Sequence, residues 1–82
     1  MAIYEIRYEE VNVHYFGIEA DSAEEAEKRF VEWRNTSDHV YETMRQGWNM
    51  DSNWEVIDRH ENNDNEWFDE DDILTDEEYQ TF

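Results

Sequence analysis

The sequence predicts an α+β fold in which a small antiparallel sheet of three or four strands packs against one main helix. Three observations lead to this prediction. Apolar residues alternate in two early segments, a helix-capping motif follows directly, and apolar residues then recur at helical spacing. We expect one domain over residues 1–82, with a sheet-and-helix core over residues 1–57 and an acidic, aromatic-containing segment over residues 58–82.

Two strands are predicted, over Ile3–Tyr8 and Val13–Ala20. In both, every second residue is apolar and faces the same layer; these residues are Tyr4, Ile6, Tyr8, Phe16, Ile18 and Ala20. The chain between the strands lacks the Asn-Gly or Asp-Gly pair of a tight hairpin turn, so we expect a longer loop or a bulge. Gly17 predicts a bulge or a close approach of another part of the chain.

The main helix is predicted over Ser22–Arg34. It begins with a capping box, in which the Ser22 hydroxyl accepts from the Glu25 amide and the Glu25 side chain reaches back to the Ser22 amide. An apolar stripe follows at spacings of three and four; it comprises Ala23, Ala26, Phe30 and Trp33. Three of the six basic residues, Lys28, Arg29 and Arg34, lie in this segment. We therefore expect the outer face of the helix to be the least acidic part of the protein.

A short second helix is predicted from Val40, Tyr41 and Met44, with Gly47 closing it. A third strand is predicted over Trp54–Asp58, because its apolar residues alternate. We expect this strand to lie beside the first two.

The segment Glu66–Phe68 predicts either a fourth short strand or a docked extended piece. Further on, Thr75 and Glu78 form a second capping box, flanked by Leu74 and Tyr79 as a hydrophobic staple. A final helical turn is therefore expected there.

The charge of the chain is its most unusual property. It has 24 acidic and six basic residues, for a formal net charge of −18. Residues 58–82 contain eleven carboxylates against one base, Arg59, and thus carry −10 of that charge. The same segment also holds anchoring apolar residues, namely Trp67, Phe68, Ile73, Leu74 and Tyr79. Disordered acidic tails are poor in such residues, so we expect a folded acidic surface.

The sequence gives no support to an enzyme or a cofactor site. There is no cysteine, and phosphate-binding glycine loops, serine-hydrolase elbows and zinc-protease motifs are absent from it. The run Asp69-Glu70-Asp71-Asp72 offers oxygen ligands, but the twelfth position of an EF-hand loop starting there is Gln80. We therefore predict neither a cofactor nor a specific metal site, and read the three histidines as structural or surface residues.

The location expected from the sequence is the cytoplasm. No apolar run is long enough to span a bilayer, and the first ten residues do not form a secretion leader. A chain without cysteine also suits a reducing compartment.

A scale argument connects the charge to a class of partner. A compact chain of this length is roughly 30 Å across. Duplex DNA of that length carries roughly 18 phosphates, since it has one charge per ~1.7 Å of axis. The chain therefore matches a short duplex in the sign and magnitude of its charge. Bare nucleic acid and anionic membranes would be repelled, so neither is expected as a partner.

Two motifs resemble the start of the small DpnD/PcfM-like proteins of mobile elements and restriction systems, namely Tyr4-Glu5-Ile6 and, after it, Ile18-Glu19-Ala20-Asp21-Ser22-Ala23-Glu24-Glu25-Ala26. This resemblance implies a strand that ends in a capped helix. It covers about the first third of the chain, and beyond Arg34 the sequence departs from the pattern.

A second resemblance concerns charge rather than motif. Small size, extreme acidity, high aromatic content and the absence of cysteine resemble phage-encoded DNA-mimic inhibitors, including anti-restriction and anti-CRISPR proteins. The resemblance implies a non-enzymatic inhibitor that blocks the basic groove of a nucleic-acid-binding protein. The alternative is a small acidic adaptor, or a salt-adapted domain, that binds a basic partner without mimicry. A homodimer would lengthen the charge array.

We expect the partner-binding surface to consist of acidic residues of the carboxyl-terminal segment with one aromatic anchor. The predicted residues are Glu61, Asp64, Glu66, Trp67, Asp69, Glu70, Asp71 and Asp72. Three further acidic residues are predicted to extend this surface, namely Glu9, Glu10 and Asp51.

Overall fold

A computed structural model of the chain describes residues 2–10, 12–43, 53–61 and 68–81. The elements are, in chain order, β1 (Ala2–Glu9), β2 (Val13–Ala20), α1 (Ala23–Thr36), α2 (Asp38–Thr43), β3 (Asn53–His60), a 3-10 turn (Glu70–Asp72), β4 (Ile73–Leu74) and α3 (Asp76–Gln80). This is the α+β fold that the sequence predicts. Met44 and Gly47, predicted in or after the second helix, lie outside the described residues.

The four strands form one sheet in the order β3-β1-β2-β4. β1 pairs antiparallel with both β2 and β3. β4 instead pairs parallel with β2, through Gly17 with Ile73 and Ile18 with Leu74. The sheet is therefore mixed rather than wholly antiparallel. β3 and β4 lie at opposite edges of the sheet, and β4 runs parallel to its neighbour β2.

The fourth strand lies later in the chain than the sequence predicts. It is formed by Ile73–Leu74, whereas Phe68 at the end of the predicted segment is not in a strand. Glu66 and Trp67 lie outside the described residues. Two residues are too few for an alternating pattern, so this strand depends on pairing with β2.

The core lies between α1 and one face of the sheet. Its largest fully buried side chains on these elements and on β4 and α2 are Phe16, Phe30, Ile6, Ile18, Leu74 and Val40, while the fully buried Ile3 lies on the opposite face of the sheet. Aromatic rings meet edge to face inside it, with centroids 5.2 Å apart for Tyr8 and Phe30 and 5.4 Å apart for Phe16 and Trp33. Such geometry is favourable for aromatic pairs and adds to the burial of apolar area.

Capping begins both α1 and α3 where the sequence predicts. The Glu25 amide donates to Ser22 Oγ over 3.1 Å, and the Glu78 amide donates to Thr75 Oγ1 over 3.1 Å. The Glu25 carboxylate, however, accepts from Arg29 Nε rather than from the Ser22 amide. The first predicted box is therefore formed in one direction.

Gly17 is the site of a close approach on the sheet face that α1 does not cover. A Cβ built at this position would lie 3.0 Å from Phe68 Cδ2 and 3.0 Å from Ile3 Cγ2. Phe68 thus packs across the backbone of β2, beside the fully buried Ile3. The close-approach reading of Gly17 is confirmed, and the sheet's bulge lies instead between β1 and β3.

Arg29 joins three elements although it carries a charge. It is only 6% exposed, and its guanidinium donates to the Glu19 carbonyl over 2.9 Å and to Asp76 Oδ1 over 2.8 Å. It also pairs with Glu25 and lies 4.4 Å from the centre of the Tyr79 ring. Burial by itself would lower the pKa of Arg29, but the hydrogen bonds that it donates to Asp76 and Glu25 outweigh burial and raise the pKa.

Two of the three bases that the sequence places on α1 do not lie on its outer face. Arg29 is buried, and Arg34 turns inward over the Trp54 ring at 5.1 Å from its centre. The charged residues of α1 that are exposed are Glu24, Glu27, Lys28 and Glu32. This face is therefore acidic, because two of the three bases have turned away from it.

Among the described residues, no helix combines the length and the apolar composition needed to cross a membrane.

Replacing Gly17 with alanine is expected to destabilise the protein by about 1–2 kcal/mol, because the new methyl group would overpack against Phe68 and Ile3. At an uncrowded strand position the same change would stabilise by roughly 0.5–1 kcal/mol. Urea unfolding of Gly17→Ala, alone and combined with Phe68→Ala, measures this. A smaller loss in the Phe68→Ala background is expected, and a gain in stability for Gly17→Ala alone would contradict the packing described.

Replacing Arg29 with alanine is expected to cost about 2–3 kcal/mol of unfolding free energy. Breaking a fully buried ion pair costs roughly 3–5 kcal/mol, and the partners Glu25 and Asp76 are about a third exposed. The matched control is Lys28→Ala, which removes an exposed base from the same helix and should change stability by under about 0.5 kcal/mol. Equal losses for both variants, measured by urea unfolding, would show that net charge alone is responsible.

Candidate functional site

The acidic run at residues 69–72 forms a short rigid turn at the β4 edge of the sheet. The Asp72 amide donates to the Asp69 carbonyl over 2.9 Å, and the Ile73 amide donates to the Glu70 carbonyl. Ile73 and Leu74, both buried, then add to the sheet beside β2. The carboxylates are thus held by the apolar pair that follows them.

Asp72 fixes this turn to the rest of the protein. His39 Nε2 in α2 lies 2.8 Å from Asp72 Oδ1, and His14 Nε2 in β2 lies 3.2 Å from Asp72 Oδ2. The second contact lacks hydrogen-bond geometry, and the His14 nitrogen is buried. The Asp72 side chain is only 13% exposed. This predicted partner residue therefore makes its contacts within the chain.

Glu70 and Asp71 face outward instead. Both are exposed, and within the described part of the chain neither side chain makes an ion pair. They border a cleft of about 480 Å³ that is lined by Trp33, Ser37, His39, Glu70, Asp71 and Glu78. We call this cleft the acidic groove.

The acidic groove combines carboxylates with ring systems. Trp33 and His39 stack with their ring centroids 6.5 Å apart, and three carboxylates stand around them. Carboxylates accept charge-assisted hydrogen bonds from guanidinium and ammonium groups, whereas the Trp33 ring is only 6% exposed and belongs to the core. The groove is therefore suited to an arginine or lysine side chain of a partner.

The other predicted residues lie away from the groove. Glu9 and Glu10 are at the end of β1, where Glu9 pairs with Arg7 over 3.4 Å and Glu10 accepts from the Tyr8 hydroxyl over 2.7 Å. Glu61 follows β3, the opposite edge strand, and pairs with Arg59. The described members of the predicted set thus occupy three separate places.

Four predicted residues lie outside the described residues. They are Asp51, Asp64, Glu66 and Trp67. Asp69 is described and exposed, and its backbone begins the 3-10 turn.

Glu78 and His39 belong to the groove but were not among the predicted residues. The second capping box identifies Glu78 as a first-turn residue of α3, but only the docking of β4 brings that turn beside α2. Arg29 did carry a signal, because Ala26, Arg29, Phe30 and Trp33 follow the spacing of a buried helix stripe. Its charge argued against burial, and its partner Asp76 is 47 residues away in sequence.

The short helix α3 is further tied to α1 by Tyr79. The Tyr79 hydroxyl donates to the Glu32 carboxylate, and this hydrogen bond, together with partial burial, raises the pKa of Tyr79. The aromatic ring covers the Arg29 guanidinium. Both contacts hold Glu78, one residue before Tyr79, in place beside the groove.

Comparison with protein families, with curated proteins and with solved structures finds no match to this chain.

Asp72→Ala is expected to destabilise the protein by about 1–3 kcal/mol, because it leaves two histidines without their shared partner. The control Asp71→Ala removes the same charge one position away on the exposed side and should stay within about 0.5 kcal/mol of the parent. Thermal unfolding of both variants measures the difference. If the two variants behave alike, the Asp72 contacts do not anchor the turn.

Proposed function

We propose that this chain is a non-enzymatic inhibitor that mimics the charge of DNA and occupies the basic groove of a nucleic-acid-binding protein. In this proposal, exposed carboxylates take the positions of phosphates. The target class is a restriction enzyme, a CRISPR effector or a nucleoid protein of a bacterial host, and the inhibitor is encoded by a phage or another mobile element.

The observation that carries the proposal is that acidic side chains are exposed without ion pairs, whereas basic side chains are packed against other residues of the chain. Glu70 and Asp71 project from a braced turn with no ion pair among the described residues. Arg29 is buried among its carboxylate partners, and Arg34 lies over aromatic rings. The surface therefore offers a basic partner many anions and few competing cations.

The dimensions also support the proposal. The chain extends 36 × 25 × 22 Å along its principal axes. A duplex 36 Å long carries about 21 phosphate charges, since each occupies ~1.7 Å of the axis. The net charge of −18 is of the same sign and similar size. A groove that holds such a duplex would meet a comparable charge on this protein.

The mechanism follows from electrostatics and rigidity. Opposite charge accelerates the encounter and orients the two partners at low salt. Because Asp72 and Arg29 already hold the acidic turn and α3, little ordering free energy is required when the complex forms. A guanidinium or ammonium group of the partner then enters the acidic groove, and the surrounding carboxylates pair with neighbouring bases.

An acidic adaptor or a salt-adapted domain would bind a basic partner through the same carboxylates without competing with DNA. Competition by duplex DNA separates these alternatives from mimicry.

The tagged protein is expected to capture a nucleic-acid-binding protein from bacterial lysate at low salt, and excess duplex DNA should displace it. Binding of the captured protein is then measured for Glu70→Lys/Asp71→Lys and for the matched control Glu24→Lys/Glu27→Lys. Both double variants change the net charge equally, but the control lies on the exposed face of α1. We expect the first variant to lose at least about tenfold in affinity and the control to lose much less.

The dependence of the affinity on salt concentration provides a second test of the same complex. Binding should weaken steeply as salt rises, and the slope should be shallower for Glu70→Lys/Asp71→Lys. A captured protein that ignores DNA would refute mimicry. Equal losses in the two double variants would refute the assignment of the acidic groove.

A further inference from the structure

A second group of polar side chains lies on the sheet face opposite α1. Glu5 on β1 stands directly across from Asp58 on β3, and His60 lies two residues further along β3. The register shift between β1 and β3 leaves Ile57 without an opposite residue. Without this bulge the neighbour of Glu5 would be Ile57, so the bulge is what brings the two carboxylates together.

The distances within this group approach those of a metal site. His60 Nε2 is 3.0 Å from Glu5 Oε1 and 3.9 Å from Asp58 Oδ2, and the three potential ligand atoms all lie within 4.8 Å of one another. Zinc bonds of about 2.0–2.2 Å at tetrahedral angles place ligand atoms about 3.3–3.5 Å apart. The two measured separations lie on either side of this value. Asp58, whose side chain is 62% exposed, has room to adjust.

The surroundings orient the ligand atoms. The Arg59 amide donates to Asp58 Oδ1 over 2.8 Å, which leaves Oδ2 on the side of His60. The Phe68 ring meets the His60 ring edge to face at 5.8 Å and restrains it. Such supporting contacts are typical of metal sites, because they fix the direction of each ligand.

Electrostatics favour a cation at this place. Like charges directly opposite in a sheet destabilise the pairing of the strands. Glu5 and Asp58 are such a pair in a chain of net charge −18. A dication between them would turn this repulsion into attraction and connect the edge strand β3 to β1.

We propose that Glu5, Asp58 and His60 form a binding site for a transition-metal dication, with Zn²⁺ as the best fit. One imidazole and two carboxylates match the ligand preference of zinc, whereas Mg²⁺ and Ca²⁺ prefer oxygen ligands alone. Three protein ligands leave a fourth position for water. The proposal is independent of DNA mimicry. It departs from the expectation that no specific metal site exists. Sequence motifs could not reveal this site, because His60 and Glu5 are 55 residues apart in sequence.

The test is calorimetric titration of the chelator-treated full chain with zinc chloride in the presence of excess Mg²⁺, which suppresses weak binding to carboxylates. We expect one equivalent of zinc to bind. His60→Gln and Asp58→Asn should each lower the affinity at least about tenfold. The matched control is His39→Gln, which removes a histidine that contacts Asp72 in the other histidine–aspartate cluster, and its affinity should equal that of the parent.

Thermal unfolding provides a readout besides the titration. Saturating zinc should raise the Tm of the parent by at least about 5 °C and should leave the Tm of His60→Gln nearly unchanged. Asp58→Asn, an exposed isosteric change, decides the question if His60→Gln does not fold. No zinc binding, binding of several equivalents that Mg²⁺ abolishes, or loss of binding in His39→Gln alone would each overturn the proposal.

Discussion

The placement of the carboxyl-terminal part of the chain depends on the buried guanidinium of Arg29. It donates to the Glu19 carbonyl of β2 and to the Asp76 carboxylate of α3, and the Tyr79 ring packs against one face of the guanidinium. A buried charge is costly unless its partners are complete, so these elements must assemble together. In a chain with such an excess of acid, one enclosed base thus determines where α3 and the preceding acidic turn lie.

The acidic residues consequently have two distinct roles. Asp72 contacts His39, Asp76 contacts Arg29, and both contacts hold the fold together. Asp71, next to Asp72, is exposed and belongs to the acidic groove. Both kinds of carboxylate count equally in the net charge, although only the exposed kind is accessible to a partner. The proposed function therefore rests on far fewer residues than the net charge suggests.

Local patterns were sufficient to predict most of the fold. Alternation located β1, β2 and β3, and Ser22 and Thr75 marked the beginnings of α1 and α3, because these signals require only neighbouring residues. The position of β4 was not predictable in this way, since two residues carry no period and the pairing partner is β2. The same limit applies to the site. Glu70 and Asp71 were predicted from charge, whereas Glu78 and His39 reach the groove only through long-range docking.

The bulge in β3 has a consequence for self-association. β3 is an outer strand of the described sheet, and an outer strand offers unpaired backbone groups to another chain. The extra residue Ile57 twists this strand locally, and Glu55, Asp58 and Arg59 place charge along it. A second copy cannot easily continue the ladder there. The protein thus presents a strongly charged surface to other molecules, while the β3 edge of its sheet is protected against becoming a template for intermolecular β-sheet growth.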